Sequence, residues 1–463
     1  MEVSRLVSNG IDEAITSLGE VIQSSEVVQP FYFVQPQEED FPTTDQGEIL
    51  SRPFDVLLFS NHKSLRKALD EIIIELKPDL GVAFERDPKA YKQTAKLVIL
   101  NLFEAWNEHE EMYVSYSRDK SKFSFDSRYR KLHIRFNPFV NVIDALDQHG
   151  YLEGMKGFFD RETGIGFQSK MRATPKLISN LVLKKFEWQM VQRRKEAPIL
   201  LRDENKNAVE FDLNRDIKDK KSNVNLINKF LANQEITFEP PNWAVKEMWR
   251  EKIRIPNTNR NQLTRIFNET WDDGGRFYRH WSQGLPSKYR KYIRINGQQV
   301  TELDYSSIHP YILYSKEGLH MPDEDMYSLD GMGEGQRKIC KTILLTIFNV
   351  KEDQDAIKAV MTDLHRKGIR SKRNEIEHLI ERLKEKHHPI KEYFGSGIGR
   401  QLQRIDSDIA ENIMLRLLDQ DIPCLPIHDS FIVAQKHKQA LRQAMIEEAK
   451  AITGFEPRVE EKY

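Results

Sequence analysis

An aspartate at the end of an apolar run is the first residue that could do chemistry. Asp304 closes the strand-like stretch 299–304, and Asn296-Gly297 separates that stretch from another at 291–295. Asn-Gly between two such stretches is a strong signal for a tight β-hairpin. A carboxylate at the end of a buried strand is a natural metal ligand, but an aspartate there can also cap the helix that follows. The residue alone leaves both interpretations open.

A second carboxylate lies in an unusual triplet. In the run 422–433, IPCLPIHDSFIV, two apolar stretches are interrupted by His428, Asp429 and Ser430. Aspartate and serine are common in tight turns, whereas histidine is less expected there. The pattern predicts two strands joined at a turn that presents a carboxylate, and an ordinary turn is the alternative.

A pair of cations stands between these two aspartates in the chain. Arg337 and Lys341 are four residues apart in a predicted helix at 333–350, so both project from one helix face. The other face is apolar and suits a core, with Ile339, Ile343, Leu344 and Ile347. Two cations one turn apart can bind a triphosphate, although a surface helix with a basic stripe would look the same.

The amino-terminal half predicts elements that could position nucleic acid. They are a helix at 89–108, β-rich stretches at 112–117 and 130–136, a helix ending at Gly150, and two strands around a turn at Arg161–Gly164. The order of helix, hairpin and nearby basic helix is the order of a winged helix. The stretch Lys170–Arg202 adds nine basic and two acidic residues, a net +7, and Arg172 and Lys176 are candidates for phosphate contact. A solvated helix face is the alternative.

In order and spacing, the motifs of the other half resemble those of the family A DNA polymerases and their relatives, the single-subunit phage RNA polymerases. The superfamily's three core motifs correspond here to Asp304-Tyr305-Ser306, Arg337-x-x-x-Lys341 and His428-Asp429-Ser430. The last motif reads His-Asp-Glu in the DNA enzymes and His-Asp-Ser in the RNA enzymes. The resemblance covers roughly residues 270 to 440.

Two further segments extend the resemblance. LQRIDSDIAENIM is similar to the family's Ile-Gln-Gly-x-Ala-Ala-Asp-Ile helix, with Gln403 at the family's Gln, which implies contact with the minor groove or the sugar of the last base pair. DDGGRFY, residues 272–278, is similar to the Gly-Arg element that holds the primer–template backbone, with Arg276 at the Arg.

The resemblance implies nucleotidyl transfer assisted by two divalent ions ~3.5–4 Å apart. Asp304 and Asp429 would hold both ions, which are Mg²⁺ with Mn²⁺ as the alternative, because Mg²⁺ prefers few protein carboxylates together with water and phosphate oxygens. Arg337 and Lys341 would bind the triphosphate, and Lys341 could protonate the departing pyrophosphate. His428 would lie near the primer terminus.

Departures from the family pattern bear on the choice of sugar and on base stacking. His309 stands where the DNA enzymes have a Glu that helps to exclude ribose, and its bulk favours deoxynucleotides, whereas Ser430 favours ribonucleotides. The family's aromatic residue four positions past the Lys is Leu345 here, and its Tyr-Gly eight positions past begins at Asn349. Phe348 is therefore the candidate for stacking on the incoming base.

Composition bounds the class of protein. The 463 residues carry a formal net charge of −1, so only the local distribution of charge bears on nucleic acid. Two cysteines are too few for a disulfide framework or a Cys-rich zinc site. No window approaches 18 uncharged apolar residues, and the N-terminus lacks the basic and apolar regions of a signal peptide. We expect a soluble, cytoplasmic protein with no membrane partner.

We expect an α+β fold with a right-hand polymerase palm. The expected regions are an α/β region at 1–85, a winged-helix-like nucleic-acid-binding region at 86–202, a connector and reduced thumb at 203–280, and the palm at 281–463. The palm would be an antiparallel sheet built from 291–304 and 422–435, with helical fingers inserted at about 320–400.

The expected function is template-dependent DNA synthesis by a polymerase of a phage, plasmid or integrated element. Its partners would be a DNA template and primer, nucleoside triphosphates, and a helicase or other replication proteins. A single-subunit RNA polymerase or primase is the runner-up. A catalytically inactive DNA-binding replication initiator and a Mg²⁺-dependent nuclease are alternatives of other classes. Intact Asp304, Lys341 and Asp429 argue against the initiator, and the spacing of Arg337 and Lys341 argues against the nuclease.

Overall fold

A computed structural model describes residues 51–123, 134–157 and 168–463, apart from the single positions 205, 207, 252, 332, 352 and 367. All of these residues belong to the unit Pro42–Tyr463. They form a mixed α+β fold, as expected, with three sheets of four or more strands, a short two-stranded pair, and helices packed against them. Within these ranges no helix is long and apolar enough to cross a lipid bilayer.

The described strands are β1 (Ser51–Pro53), β2 (Leu58–Phe59), β3 (Tyr113–Tyr116), β4 (Leu152–Met155), β5 (Ser169–Ala173), β6 (Gln192–Arg193), β7 (Ile199–Arg202), β8 (Ala208–Val209), β9 (Ile236–Phe238), β10 (Thr264–Asn268), β11 (Thr270–Tyr278), β12 (Ile293–Ile295), β13 (Gln298–Tyr305), β14 (Leu425–Ile427), β15 (Ser430–Ala434) and β16 (Val459–Glu461).

The described α-helices are α1 (Lys63–Arg86), α2 (Pro88–Glu108), α3 (Phe136–Gln148), α4 (Pro175–Leu183), α5 (Arg215–Ala232), α6 (Asn242–Arg250), α7 (Ser287–Arg290), α8 (Ile308–Lys316), α9 (Glu334–Ile347), α10 (Asp353–Arg366), α11 (Arg373–Lys386), α12 (Gly399–Leu418) and α13 (Lys438–Thr453).

The first sheet has the order β1-β3-β5-β4 and packs on α2. The helix predicted at 89–108 is confirmed as α2, because Asp87 caps its N-terminus through Ala90 N and Pro88 occupies the first turn. Strands β4 and β5 pair antiparallel, in agreement with the predicted strand pair, and the turn predicted at 161–164 lies outside the described residues.

One expectation for the amino-terminal half is not met. Of the β-rich stretch predicted at 130–136, the first four residues lie outside the described ranges, and Phe136 begins helix α3 instead of continuing a strand. The apolar run at 54–60 is mostly buried but contains only the two-residue strand β2. Short apolar runs do not by themselves distinguish a strand from a buried loop.

The segment expected to be a connector and reduced thumb contains regular structure. Helix α5 buries Ile217, Val224, Ile227 and Leu231, a helical stripe that the surrounding lysines and aspartates obscure in the sequence. Strands β10 and β11 join β7 and β8 in the second sheet, whose order is β11-β10-β7-β8. This segment therefore packs against α12 as part of the protein's body.

The third sheet carries the candidate site. Its order is β14-β15-β13-β12-β9, and β16 pairs with β13. The predicted hairpin is confirmed as β12 and β13, with Asn296 and Gly297 at φ values of 51° and 71°. Both values lie in the left-handed region, which a two-residue type I′ turn requires. The predicted strands around His428 are confirmed as β14 and β15.

A helical insertion separates α8 from α12. Helices α9, α10 and α11 bury apolar residues against one another, and these residues belong to the same core as the third sheet. The apolar face predicted for α9 is confirmed, since Ile343, Leu344 and Ile347 are fully buried. The core thus fixes α9 relative to the sheet that bears Asp304.

Candidate active site

Asp304 lies near the end of β13, between two other strands. Its Cα partners are Ser430 on β15 and Glu460 on β16. The Oδ2 atom accepts a hydrogen bond from Lys462 Nζ at 3.0 Å, whereas the buried Oδ1 atom has no hydrogen-bond partner among the described residues. Burial and then the negative charges of Asp429 and Glu302 raise the pKa of Asp304 to about 6, against the opposing effect of Lys462.

Asp429 belongs to the tight turn between β14 and β15. His428, the first residue of that turn, has a φ of 61°, and Tyr305 N donates to Asp429 O at 3.3 Å. This bond holds the turn against the end of β13. Because the charge of Asp429 raises the pKa of Asp304, the two predicted metal ligands lie close enough to interact.

A buried glutamate lies beneath Asp304. Glu302 is fully buried, and its Oε1 atom accepts hydrogen bonds from Arg290 Nη1 and Ser430 Oγ, both at 2.7 Å, and lies 3.2 Å from Lys462 Nζ. Ser430, the serine of the His-Asp-Ser triplet, therefore provides a hydrogen bond to the buried Glu302 Oε1. Its presence is explained without any preference for ribonucleotides.

Arg276 takes part in a buried ion pair. Its Nε atom donates to both carboxylate oxygens of Asp406, at 3.1 and 3.0 Å, and its Nη2 atom lies 3.1 Å from His309 Nε2. His309 Nε2 is also 3.1 Å from Asp406 Oδ2. Although burial opposes it, the hydrogen bonds and charge of Asp406, with the charge of Asp429, hold the pKa of Arg276 above its usual value.

His428 adds an imidazole to the same neighbourhood. Its ring packs edge-on against Tyr278, with 5.3 Å between ring centroids. Burial and then the positive charge of Arg276 lower the pKa of His428, so the ring is neutral at pH 7. The structure thus brings together Asp304, Asp429, Arg276, His309 and His428, which are predicted site residues from three separate segments of the sequence.

Adjacent glycines allow β11 to approach α12. Gly274 and Gly275 have φ values of 79° and 80°, and a Cβ at Gly275 would lie 2.8 Å from Phe267 Cε1 and 3.0 Å from Ser407 Oγ. The fully buried Arg265 donates to Gly275 O and to Ser407 Oγ, both at 2.8 Å, and pairs with Glu411. These contacts place Arg276 against Asp406.

The two predicted triphosphate-binding cations share one aromatic neighbour. The guanidinium of Arg337 lies 5.6 Å from the centroid of the Tyr327 ring, and Lys341 Nζ lies 5.3 Å from it. Arg337 also pairs with Asp325. Tyr327 is only 6% exposed. Burial raises the pKa of its hydroxyl, a hydrogen bond with the Ser307 side chain opposes that effect, and the charge of Asp429 adds to it. Tyr327 therefore has the two cations against its ring, and the charge of Asp429 acts on its hydroxyl.

Phe348 and Asn349 differ in their surroundings. Phe348 is fully buried, with its ring packed edge-on against Phe394 at 5.4 Å, so neither face is presented to an incoming base. The stacking expected of Phe348 is therefore not supported, because α9 turns this ring into the core. Asn349 is exposed, and its Nδ2 atom donates to Leu345 O at 2.7 Å. Gln403 is half-buried on α12.

Arg172 and Lys176 lie in the amino-terminal half and are already engaged. Arg172 pairs with Glu111 and, at 2.8 Å, with Glu153. Lys176 Nζ donates to Glu75 Oε2 at 2.8 Å. The structure does not bring either residue together with Asp304, and their charges are largely balanced by these carboxylates.

Sequence reasoning did not select Glu302, Tyr327, Asp406 or Lys462 as site residues. A signal existed for Glu302, because alternation along a strand places residues 302 and 304 on one face. For Asp406 the signal was its position on the predicted helix that carries Gln403. No local pattern marks Tyr327 or Lys462, since their contacts depend on how distant segments pack.

The arrangement suits a hard divalent cation with few protein ligands. No group of three or more His, Cys, Asp or Glu side chains that could hold a metal occurs in the described part of the chain. Two aspartates, one with a buried oxygen that lacks a partner, fit Mg²⁺, which keeps several waters and is commonly completed by substrate phosphates.

Comparisons with known proteins do not assign this chain to a family. No protein-family model and no curated protein matches this chain. Among solved structures, the chain is similar to the POL domain of Pol1 from M. smegmatis, determined in complex with a DNA primer-template and dNTP. That match has 11% sequence identity and a TM-score of 0.32, and covers 88% of this chain and 67% of the other. A TM-score of that size does not establish a shared fold.

Proposed function

We propose that this protein is a template-dependent nucleotidyltransferase, and specifically a DNA polymerase that uses two divalent ions. The observation that carries the proposal is that Asp304 and Asp429 lie side by side at the end of the third sheet, where Tyr305 N donates to Asp429 O and Ser430 is the Cα partner of Asp304. Asp304 Oδ1 is buried and lacks a hydrogen-bond partner in the described ranges. A buried carboxylate oxygen without a partner is costly unless a cation binds it.

Each residue has a role in the proposed reaction. Asp304 and Asp429 would hold the ions, which when bound would activate the attacking hydroxyl and stabilise the departing pyrophosphate. Arg337 and Lys341 would bind the triphosphate from α9. His428, neutral at pH 7, would lie beside the primer terminus. We assign Arg276 a positioning role, because its guanidinium is engaged by Asp406.

The sugar choice belongs to the same proposal. His309 is 7% exposed and is held by Asp406 and Arg276, which favours a rigid side chain that excludes a 2′-hydroxyl by bulk. Ser430 no longer argues for ribonucleotides, since its hydroxyl is committed to Glu302. We therefore favour deoxynucleotides over ribonucleotides.

The amino-terminal region is proposed to bind nucleic acid. Because Arg172 and Lys176 pair with carboxylates, the exposed Lys185 and Lys195 of the basic stretch are better candidates for phosphate contact. A DNA template and primer, and replication proteins of a phage, plasmid or integrated element, are the proposed partners.

Extension of a labelled primer on a DNA template tests the proposal. With Mg²⁺ and dNTPs we expect extension that is lost in both Asp304→Asn and Asp429→Asn. Asp419→Asn, at an exposed aspartate at the end of α12, is the matched control and should extend normally. Extension with rNTPs alone would assign RNA synthesis instead. Tight DNA binding without extension by either nucleotide would favour the replication initiator.

A further inference from the structure

A lysine occupies one side of the Asp304 carboxylate. Lys462 follows strand β16, which pairs antiparallel with β13 through Leu303–Glu461 and Asp304–Glu460. Lys462 N donates to Glu302 O at 2.9 Å, which fixes the backbone of Lys462 beside β13. The side chain then turns toward the site, where Nζ lies 3.0 Å from Asp304 Oδ2.

Lys462 is not the nearest partner of Glu302 Oε1. Glu302 Oε1 also accepts hydrogen bonds from Arg290 Nη1 and Ser430 Oγ at 2.7 Å, both shorter than its 3.2 Å distance to Lys462 Nζ. The Lys462 side chain is one-third exposed, so it can move outward without opening the core. The Lys462 ammonium can therefore move away from Asp304, whose carboxylate is a metal ligand in the proposed reaction.

The Lys462 ammonium should repel a divalent ion bound at Asp304. A divalent ion at Asp304 would stand within a few ångströms of the Lys462 ammonium, and two cations at that separation repel strongly where water is partly excluded. Either the ion binds against this repulsion or Lys462 must first leave Asp304. In both cases Lys462 lowers the affinity of the nucleotide-free protein for metal.

We propose that Lys462 competes with the divalent ion for Asp304, so that metal binds weakly until a nucleotide brings its own negative charge. The inference rests on the proposed function in one respect, which is that Asp304 is a metal ligand. Lys462 is a positioning residue in this scheme, because it acts through Asp304. The triphosphate would recruit metal by adding phosphate oxygens and by giving the displaced ammonium another anion to contact.

Manganese binding to the nucleotide-free protein tests the inference without relying on catalysis. Free Mn²⁺ is measured by electron paramagnetic resonance in titrations of the full chain. We expect Lys462→Met to bind Mn²⁺ about tenfold more tightly than the unsubstituted protein, from the removal of a cation–cation repulsion. Lys462→Gln keeps a hydrogen-bond donor for Glu302, removes the charge and should show the same gain. Lys462→Arg keeps the charge and should show none.

A matched control comes from a lysine of α13 that pairs with strand β16. Lys438 pairs with Glu461, the residue before Lys462, and within the described residues its ion pair does not involve Asp304. Lys438→Met should therefore leave Mn²⁺ affinity unchanged, which separates the charge at Asp304 from the anchoring of β16. Thermal melts of each variant report whether the fold is retained.

Two results would overturn the inference and can be told apart. If Mn²⁺ binding depends on Asp304 but Lys462→Met and Lys462→Gln bind no more tightly than the unsubstituted protein, Lys462 does not compete and the proposed function stands. If Asp304→Asn changes no Mn²⁺ affinity, even in the Lys462→Met background, Asp304 holds no metal, and the inference and the proposed metal site fail together.

Discussion

At the scale of single residues, Tyr327 connects the two parts of the candidate site. Its ring faces both Arg337 and Lys341, and the charge of Asp429 acts on its hydroxyl. The loop that carries it is held by Lys386, whose Nζ atom donates to Asp325 O and Ser328 O, both at 2.7 Å. His387 Nε2 lies 2.9 Å from Met326 O. A ring fixed in this way can hold both cations in place.

Loss of the Tyr327 ring should weaken nucleotide binding more than it slows chemistry. We expect Tyr327→Ala to raise the KM for nucleotide about tenfold, since each cation–π contact contributes about 0.5–1 kcal/mol, with a smaller change in kcat. Tyr327→Phe keeps the ring and should stay near the unsubstituted KM. Tyr393→Ala, in the same helical insertion, is the control. Equal losses in the Phe and Ala variants would contradict a role for the ring.

Asp304 should reduce the stability of the fold while serving the reaction. The folded protein raises its pKa from 3.8 to about 6, so the ionised form is disfavoured on folding at neutral pH. We expect Asp304→Asn to increase the free energy of unfolding by about 3 kcal/mol at pH 7.5, since each pKa unit corresponds to ~1.4 kcal/mol.

The pH dependence of that gain is a sharper check. As pH falls below 6 the folded carboxyl takes up a proton, and below 3.8 the unfolded one does so too. The advantage of Asn should therefore be roughly halved at pH 5 and vanish below the unfolded pKa. Urea denaturation at the two pH values measures it. If Asp304→Asn is less stable than the unsubstituted protein at pH 7.5, the folded protein does not disfavour the ionised form of Asp304.

At the scale of elements, the packing of β11 on α12 positions Arg276. Two glycines with left-handed backbone conformations let β11 approach Ser407 and Phe267. Arg265 of the neighbouring strand β10 and Glu411 of α12 then form a buried ion pair. A buried ion pair of this kind does more to specify one arrangement than to add stability.

Gly275→Ala should disturb this arrangement. At a φ of 80° an alanine is strained, and its Cβ would lie 2.8 Å from Phe267 Cε1. We expect a loss of about 3 kcal/mol in the free energy of unfolding, from left-handed strain together with overpacking. Gly284→Ala is the control, because a Cβ there would meet no heavy atom within 4 Å. Similar stabilities for the two variants, by denaturant unfolding, would refute the close approach.

At the scale of the whole molecule, buried charges join segments far apart in the chain. Asp55, which is 1% exposed, accepts from Arg193 Nε at 2.7 Å and from Arg260 Nη2 at 3.2 Å. Arg52 and Glu104 form a second buried pair at 2.8 Å. Since Asp55 contacts both Arg193 on β6 and Arg260 in the segment that precedes β10, the amino-terminal half and that segment should unfold together.

Buried histidines should make the fold sensitive to acid. Burial lowers the pKa of His280 to about 3 and that of His109 to about 4. Both are neutral in the folded state, whereas the unfolded chain takes up protons below pH 6.5. Stability should therefore fall below pH 6.5, by about 1.4 kcal/mol per pH unit for each histidine, down to its folded pKa.

Replacing one imidazole tests that contribution. His280 Nδ1 lies 2.8 Å from Ser282 Oγ and accepts from Ser282 N, and an Asn side chain can accept similar bonds. We expect His280→Asn to flatten the slope of stability against pH between 6.5 and 4. His388→Gln, at an exposed histidine, controls for loss of one imidazole. An unchanged slope in His280→Asn would show that His280 does not drive the effect.

The sequence by itself determined the elements whose signals are local. Asn296-Gly297 specified a hairpin because few residues tolerate two left-handed positions, and the spacing of Arg337 and Lys341 placed both on one helix face. The strand ends that carry Asp304 and Asp429 followed from apolar runs bounded by polar turns. In these cases the physical cause lies within a few residues of the feature.

Only the tertiary structure decided which side chains meet. Asp406 and His309 are 97 residues apart, and Lys462 reaches Asp304 because β16 pairs with β13. The burial of Phe348 depends on how α9 packs against Phe394, which helical periodicity does not specify to within one residue. Such contacts depend on how distant segments pack together in the core. Local periodicity of residue types does not specify which distant side chains will meet.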